Sequence, residues 1–412
     1  MLGGAAAADP ALTLERAQQL AVERSYSLKG KDDALASARE MASAARQLPD
    51  PVLKAGIENL PLDGPERFSL NKESMTMRRI GLMQEFPRSD KRRLRAELFE
   101  READKVKAQK AVQIVTIQRD TALAWLDLYY AQAQAALLAE QLVQARLEIE
   151  AAEAAYRAGR GRQADIIDAK KMLIEIEDRR SQSTRMIANA RVRLARWVGD
   201  ASGGTLAQAP VLDRIAYHPT EIEDTLAHHP DLNVMALDEA IAQTNARLAR
   251  ANRKADWSVE VAYQKRGSAF SDMVSVELSL PLQWDRKNRQ DRELSASLSL
   301  AAHAKAERQD AERAHVAEVR EMYNEWQSNS ERLARFQREL LPLADAGTQA
   351  ATAAYRGGKA SLAEVLSTRR GEIETRLQVL QLEAETARLW AQLNFQFPHE
   401  GTLAAQPNKD VK

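Results

Sequence analysis

Two periods of apolar residues alternate along the chain. From Arg88 to Ala158 there is neither glycine nor proline over 71 residues. Within that stretch Leu94, Leu98, Val106, Val112, Ile117, Leu123, Leu126, Tyr130, Leu137 and Leu138 recur at roughly helical spacing. Charges fill the other face early and alanines fill it later, as expected of a helix touching neighbours on both sides. Leu282–Leu341 is likewise free of both breakers over 60 residues. At about 1.5 Å per residue a 71-residue helix spans roughly 105 Å, whereas globular helices run to about 20 residues. The pattern predicts a coiled coil or a helical barrel.

The segments before these helices follow a period of two. Trp257, Val259, Val261 and Tyr263 alternate with Ser258, Glu260, Ala262 and Gln264, and Val274, Val276, Leu278 and Leu280 with Ser275, Glu277 and Ser279. A Gly/Ser turn joins the runs, so residues 257–281 read as a β-hairpin. An earlier hairpin over about 50–87 is less regular, with Leu53, Ala55 and Ile57 on one face and a longer loop.

The chain repeats itself. AAYRAGRGRQADII (Ala154–Ile167) matches AAYRGGKASLAEVL (Ala353–Leu366) 199 residues on, with six of fourteen positions identical and four conservative. EFPRSDKRR (Glu85–Arg93) resembles SLPLQWDRKNR (Ser279–Arg289) at a similar offset. Residues 1–200 form the first repeat, 201–210 a linker, 211–398 the second repeat and 399–412 a tail. Each repeat reads helix, hairpin, long helix, tip turn, helix. The long helices are expected over 88–158 and 282–356, the turns over 158–162 and 356–360, and the closing helices to 198 and 397. Shorter helices near 28–48 and 162–198 stack beside the first long one, with an irregular belt near residues 25–28 and 229–232.

Four strands cannot seal their own edges in a membrane, and the smallest membrane barrels need about eight. Closure between chains is therefore required, and three copies supply twelve strands and twelve helical columns. The expected fold is mainly α with a small β part. With three copies, long antiparallel helices would form a trimeric α-helical barrel, capped by a shared 12-stranded transmembrane β-barrel. Trp257, Val259, Val261, Tyr263, Val274, Val276 and Leu278 are then the lipid-facing residues. The competing reading is a hairpin packed on helices in a soluble coiled-coil scaffold.

Composition narrows the function. The 59 basic and 59 acidic residues cancel, which argues against a nucleic-acid partner. With no cysteine, disulfides, thiolate metal sites and a lipidated N-terminal cysteine are excluded. MLGGAAAADPALT has no basic start and no long apolar run, so it reads as the remnant of a trimmed signal peptide or an added start. No apolar window is long enough for a transmembrane helix.

With these features the sequence resembles the TolC-type outer-membrane efflux proteins from Leu12 to about Pro398. The most specific likeness is the pair of turns, in which Gly159 precedes Asp165 and Gly358 precedes Glu364 by six residues. QLPDPVLKAGIENLPL (Gln47–Leu62) resembles more narrowly the CzcC/CusC-like subfamily of heavy-metal systems. The resemblance implies a homotrimer in the outer membrane of a Gram-negative bacterium, with its helical part in the periplasm. Its partners would be a membrane-fusion adaptor and an inner-membrane RND pump. The chain departs from many relatives in lacking the N-terminal cysteine, and from some in having Ala360 and Ser367 in place of charged gating residues.

Two readings of the turns stand side by side. Gly159, Gly161, Gly357 and Gly358 let a helix reverse through positive φ, and that is sufficient for a plain helical hairpin. With the resemblance, Arg157, Gly159, Arg160, Gly161, Arg356, Gly358 and Lys359 become an adaptor-docking tip. Asp165, Asp168 and Glu364 are either carboxylates favoured by helix N-termini or a channel-entrance ring that attracts cations, with Glu364 the foremost candidate. The six histidines, His218, His228, His229, His303, His315 and His399, form no i, i+4 pair and read as surface residues, so no metal site is expected. No cofactor or catalysis is expected, since phosphate loops, HExxH and nucleophile elbows are missing. The expected function is a passive exit duct for heavy-metal cations; organic drugs or a secreted protein are the alternative cargoes.

Overall fold

The computed structural model describes residues 11–215 and 229–398. The N-terminal segment, the 399–412 tail, His218, His228 and His399 lie outside these residues. In chain order the elements are α1 (Leu14–Glu23), α2 (Tyr26–Arg46), β1 (Val52–Glu58), β2 (Met77–Phe86), α3 (Ser89–Arg157) and α4 (Gln163–Val198). There follow α5 (Pro230–Asn252), β3 (Trp257–Lys265), β4 (Met273–Ser279), α6 (Gln290–Arg335), α7 (Leu341–Arg356) and α8 (Leu362–Asn394).

Several boundaries depart from the expected ones for local reasons. The helix expected from residue 28 begins two residues earlier, where the Ser25 hydroxyl accepts from the Leu28 amide at 3.3 Å. An additional helix, α1, precedes it and is capped by Thr13. The second long helix starts at Gln290, not at 282. The intervening residues turn around Asp285, whose carboxylate accepts from the Asn288 side chain at 2.9 Å and competes with helical pairing. That helix also passes through a π turn at Phe336–Leu340 before α7. Pro342 follows, and its ring cannot donate to the preceding turn, so a widened turn relieves the mismatch. The linker is pinned: Leu12 bridges Leu206 in parallel, and the Leu12 carbonyl accepts from both Ala207 N and Trp125 Nε1 at 3.1 and 3.0 Å.

The chain divides into two compact units, each drawing on both sequence halves. One comprises Gly30–Lys110 and Asp231–Glu312 and contains the sheet. Its four strands are antiparallel in the order β1-β2-β3-β4, leaving β1 and β4 as edges. Register aligns Leu53, Leu82, Val261 and Val276 across the sheet, and Ala55, Ile80, Tyr263 and Val274 in the next row on the same face. Helices in this unit meet through alanine and through ion pairs. Lys110 reaches Asp32 at 2.6 Å, Lys105 reaches Asp238 at 2.6 Å and Arg308 reaches Glu239 at 2.9 Å.

The other unit comprises Met1–Lys29, Ala111–Pro230 and Arg313–Lys412. Its main core joins α1, α3, α4 and α8 through Leu14, Trp125, Leu126, Leu128, Leu194 and Ala391. A second core joins α3, α4, α7 and α8 through Leu138, Leu142, Met172, Ile176, Leu362, Val365 and Ile373. Alanines at 122, 190 and 387 are fully or nearly fully buried and bring the helices close. Leu194 has no solvent exposure, so Leu194→Ala is expected to cost about 2–5 kcal/mol through lost transfer energy plus cavity. A thermal melt showing no fall in midpoint would contradict this packing.

Candidate functional site

The two repeat turns share the same backbone hydrogen-bond pattern around their left-handed glycine. After α3, Gly159 takes φ 68°, its amide donates to Tyr156 O at 3.0 Å, and Arg160 N donates to Ala155 O at 3.0 Å. After α7, Gly358 takes φ 72°, its amide donates to Tyr355 O at 3.0 Å, and Lys359 N donates to Ala354 O at 2.8 Å. Both are Schellman endings, which satisfy the last helical carbonyls and favour glycine at the left-handed position. Gly161 serves differently: a Cβ there would lie 3.0 Å from Tyr156 N and 3.1 Å from the Ala155 Cβ. The side chains of Arg157, Arg160, Arg356 and Arg162 are exposed around the turns, while Lys359 is exposed beside Gly358.

The following helices begin on equivalent residues with different chemistry. Ser361 caps α8 by accepting from Glu364 N at 3.2 Å. At the matching position Arg162 has no acceptor, and the cap is inverted: Asp165 Oδ2 accepts from Arg162 N at 3.0 Å, and Oδ1 from the Arg162 guanidinium at 2.9 Å. Asp165 is buried and engaged at both oxygens, so it serves the helix start and is not presented to an opening. Asp168 and Glu364 are exposed, and neither has an ion-pair partner among the described residues.

Further along α8 lies a buried charge cluster with no counterpart in the sequence reading. Glu372, 1% exposed, takes Arg369 on one oxygen and Arg376 on the other, each at 2.9 Å. Arg369 continues to Glu148 on α3 at 3.3 Å, and Arg376 approaches Asp345 on α7 at 3.8 Å. Three helices are thereby tied through one carboxylate. The spacing Arg369, Glu372, Arg376 places all three on one helix face and is the only sequence signal for the cluster. Burial holds Glu148 above the ordinary carboxylate range, and the attraction of Arg369 offsets this only in part. Nearby, α3, α4 and α8 enclose a groove of about 530 Å³, where Asp127 binds Arg193 at 3.3 Å and Arg388 at 2.8 Å.

The sheet has inverted polarity. Trp257, Val261, Tyr263, Val274, Val276 and Leu278 are exposed, Val276 to 73%, and Val259 is half-buried. Ile80, Leu82 and Leu53 extend the same exposed face onto β2 and β1. On the opposite face Glu260, 6% exposed, receives Lys54 at 2.7 Å and Arg79 at 2.5 Å. Arg79 also binds Glu58 at 2.6 Å. The polar face is tight: a Cβ on Gly81 would stand 2.9 Å from that of Ala262. No helix among the described residues is long and apolar enough to cross a membrane.

The histidines need one correction. His303 is exposed beside Glu307, but His229 is 3% exposed, and its ring lies 4.2 Å from that of His315 and 5.6 Å from Phe397. The tertiary fold brings together two residues 86 positions apart, which spacing along one helix does not reveal. Among the described residues no group of three or more potential ligands is placed to hold a metal ion.

Residues 222–395 match the family model described as outer membrane efflux protein. The outer-membrane channel OprN superposes with TM-score 0.79 at 16% identity over 94% of this chain and 90% of its own. VceC of Vibrio cholerae gives 0.76 at 17%, over 93% and 95%, and CusC, described as forming a transmembrane channel, gives 0.77 at 16%, over 92% of each chain. No curated protein matches.

Two outcomes follow from the buried cluster. Glu372→Gln removes the charge shared by two arginines, and breaking such a buried pair typically costs about 3–5 kcal/mol; an unchanged melting temperature would show that the cluster is solvated. Because the folded-state pKa of Glu148 is raised, the folded chain holds that proton more tightly than the unfolded one. Its contribution is present below the unfolded carboxylate pKa and lost as pH rises through the folded value. Melting curves across the weakly acidic range should show that slope in the wild type and a reduced one in Glu148→Gln. The chain has the fold of outer-membrane channels, and its second half matches the outer membrane efflux protein family.

Proposed function

We propose that the chain is the outer-membrane channel of a tripartite RND efflux pump, a passive homotrimeric exit duct for heavy-metal cations. The observation that carries the reading is the inverted sheet. Among the described residues its apolar face is exposed, Glu260 is buried on its charged face, and β1 and β4 are left as edges. In hydrocarbon an open edge leaves backbone groups unpaired at several kcal/mol each. Twelve strands from three copies would pair every edge and turn the charged face toward a water-filled lumen.

The duct does no chemistry. Its partners are a periplasmic adaptor, docked on the basic turns around Arg157, Arg160, Arg356 and Lys359, and an inner-membrane pump beyond it. Exposed Glu364 and Asp168 are the groups available to an entrance ring, and Asp165 is not. An adaptor that prefers the open entrance would shift its population by that difference in affinity. Support for a metal cargo comes from the likeness of Gln47–Leu62 to the CzcC/CusC-like proteins.

The membrane reading is tested by Val276→Arg, in the middle of the outward apolar face. A cation near the midplane of a barrel's lipid face costs about 2–4 kcal/mol, so the variant should leave the outer-membrane fraction while the wild type resists extraction. Equal partition would sink the reading. Deleting the gene and comparing zinc, cobalt, cadmium, copper and organic-drug sensitivities decides the cargo: sensitivity to drugs alone overturns the metal assignment.

A further inference from the structure

The two rims of the sheet differ in charge, and one of them is built for an anionic surface. Where the strands meet the helices, Glu85–Arg95 carries five cations against two anions, and Trp284–Arg292 carries four against two. In a chain of zero net charge this rim holds an excess of five positive charges. The loop rim is different: residues 59–76 carry two cations against three anions, and 266–272 one of each.

The basic rim continues the apolar face without a break. Leu278 at the end of β4, and Leu280, Leu282 and Trp284 beyond it, are all exposed, and Trp284 reaches 88% exposure. Asp285, Arg286, Lys287 and Arg289 follow immediately and are exposed. Arg93, Lys287, Arg289 and Arg292 have no ion-pair partner among the described residues. Beside them Trp257, Leu282, Trp284 and Arg289 help line a cavity of about 550 Å³, whose wall also carries Glu85, Asp256 and Asp285. Asp256 is paired with Lys91 at 2.9 Å, which takes one carboxylate of the wall and one of the counted cations out of the local balance together.

We infer that this rim is a docking surface for anionic glycerophospholipid headgroups of the leaflet nearer the helices. The inference rests on the membrane reading above and adds the chemistry of its lipid partner. Tryptophan favours the headgroup level, where its apolar ring and its N–H are both satisfied. Cations just beyond the hydrocarbon draw anionic lipid within about a Debye length. The apolar strand is followed by exposed Trp284 and, in the turn that begins there, by exposed Arg286, Lys287 and Arg289, which places an aromatic ring and cations together beyond the end of the apolar face. Arg286 is partly restrained by Asp291, 3.9 Å away, so the freer charges are Lys287 and Arg289.

The test uses the full-length protein in nanodiscs of equal parts phosphatidylcholine and phosphatidylglycerol, with bromine on the acyl chains of one lipid or the other. Bromine quenches tryptophan on contact, and comparison with Trp284→Phe isolates the contribution of Trp284. Brominated phosphatidylglycerol should quench Trp284 several-fold more than brominated phosphatidylcholine, with roughly a fivefold preference per cation facing the lipid at low salt. Raising the salt should shrink the preference. Arg286→Gln, Lys287→Gln and Arg289→Gln together should bring the ratio to one. Arg286→Lys with Arg289→Lys should keep it, which separates charge from folding. Equal quenching by the two lipids in the wild type overturns the inference and leaves the membrane reading intact. So does quenching of other tryptophans but not of Trp284, which would mean that a second copy covers it. If neither lipid quenches any tryptophan, the membrane reading falls first and this one with it.

Discussion

A β-sheet must place its apolar face against something other than water and must pair its edges. This chain meets neither condition within the sheet unit. The rows Leu53–Leu82–Val261–Val276 and Ala55–Ile80–Tyr263–Val274 are continuous across all four strands, and most of their apolar members are exposed. The buried face instead holds Glu260 between Lys54 and Arg79. An ordinary half-buried sheet has the reverse arrangement. Since burial of apolar surface is the dominant favourable term in folding, a sheet arranged this way needs an environment that supplies the cover. In the proposed channel, lipid and neighbouring copies would supply it together.

The same logic governs the helices. A helix of 69 residues cannot be stabilised by one globular core. Along α3 the partners change in character: Leu94, Ala96 and Ala103 with flanking ion pairs in the sheet unit, then Trp125, Leu126 and Leu128 in the main core, then Leu138, Leu142 and Ala152. Alanine sets close approach where large side chains would force the helices apart, and the charged pairs between α3 and α5, such as Arg247–Glu97 at 2.5 Å, contribute little individually. Their value lies in register, since an oppositely charged pair opposes sliding of one helix along another.

Much of this was legible in the sequence because it depends on local rules. The β3–β4 hairpin followed from strict alternation, and the turns from glycine spacing repeated at a fixed offset. The β1–β2 hairpin was harder, because Gly56 and Gly81 interrupt its pattern and Gly81 is there to admit Ala262. The start of α6 was placed too early because the carboxylate of Asp285 holds Trp284–Arg289 in a turn of their own. What stayed hidden is tertiary. His229 and His315 meet only through packing, and the charged run around Glu372 looks like any solvated helix face until Glu148 and Asp345 arrive from other helices.

The comparison between the two turns shows how a repeat can diverge without changing its fold. Their Schellman hydrogen bonds are superimposable in pattern, so the backbone requirement at Gly159 and Gly358 is shared. The helix starts beyond them are not equivalent. Ser361 caps α8 with its own hydroxyl, which leaves the Glu364 carboxylate exposed. Arg162 has no such acceptor, and Asp165 must turn back to bind it. One substitution at the N-cap therefore decides whether the carboxylate three residues later is a structural cap or an available charge. In a trimer, six turns would then present three free carboxylates at this position and not six. At the tip, the halves differ in these caps and at Gly161, whose counterpart is Ala360, while the backbone bonds at Gly159 and Gly358 are held in common.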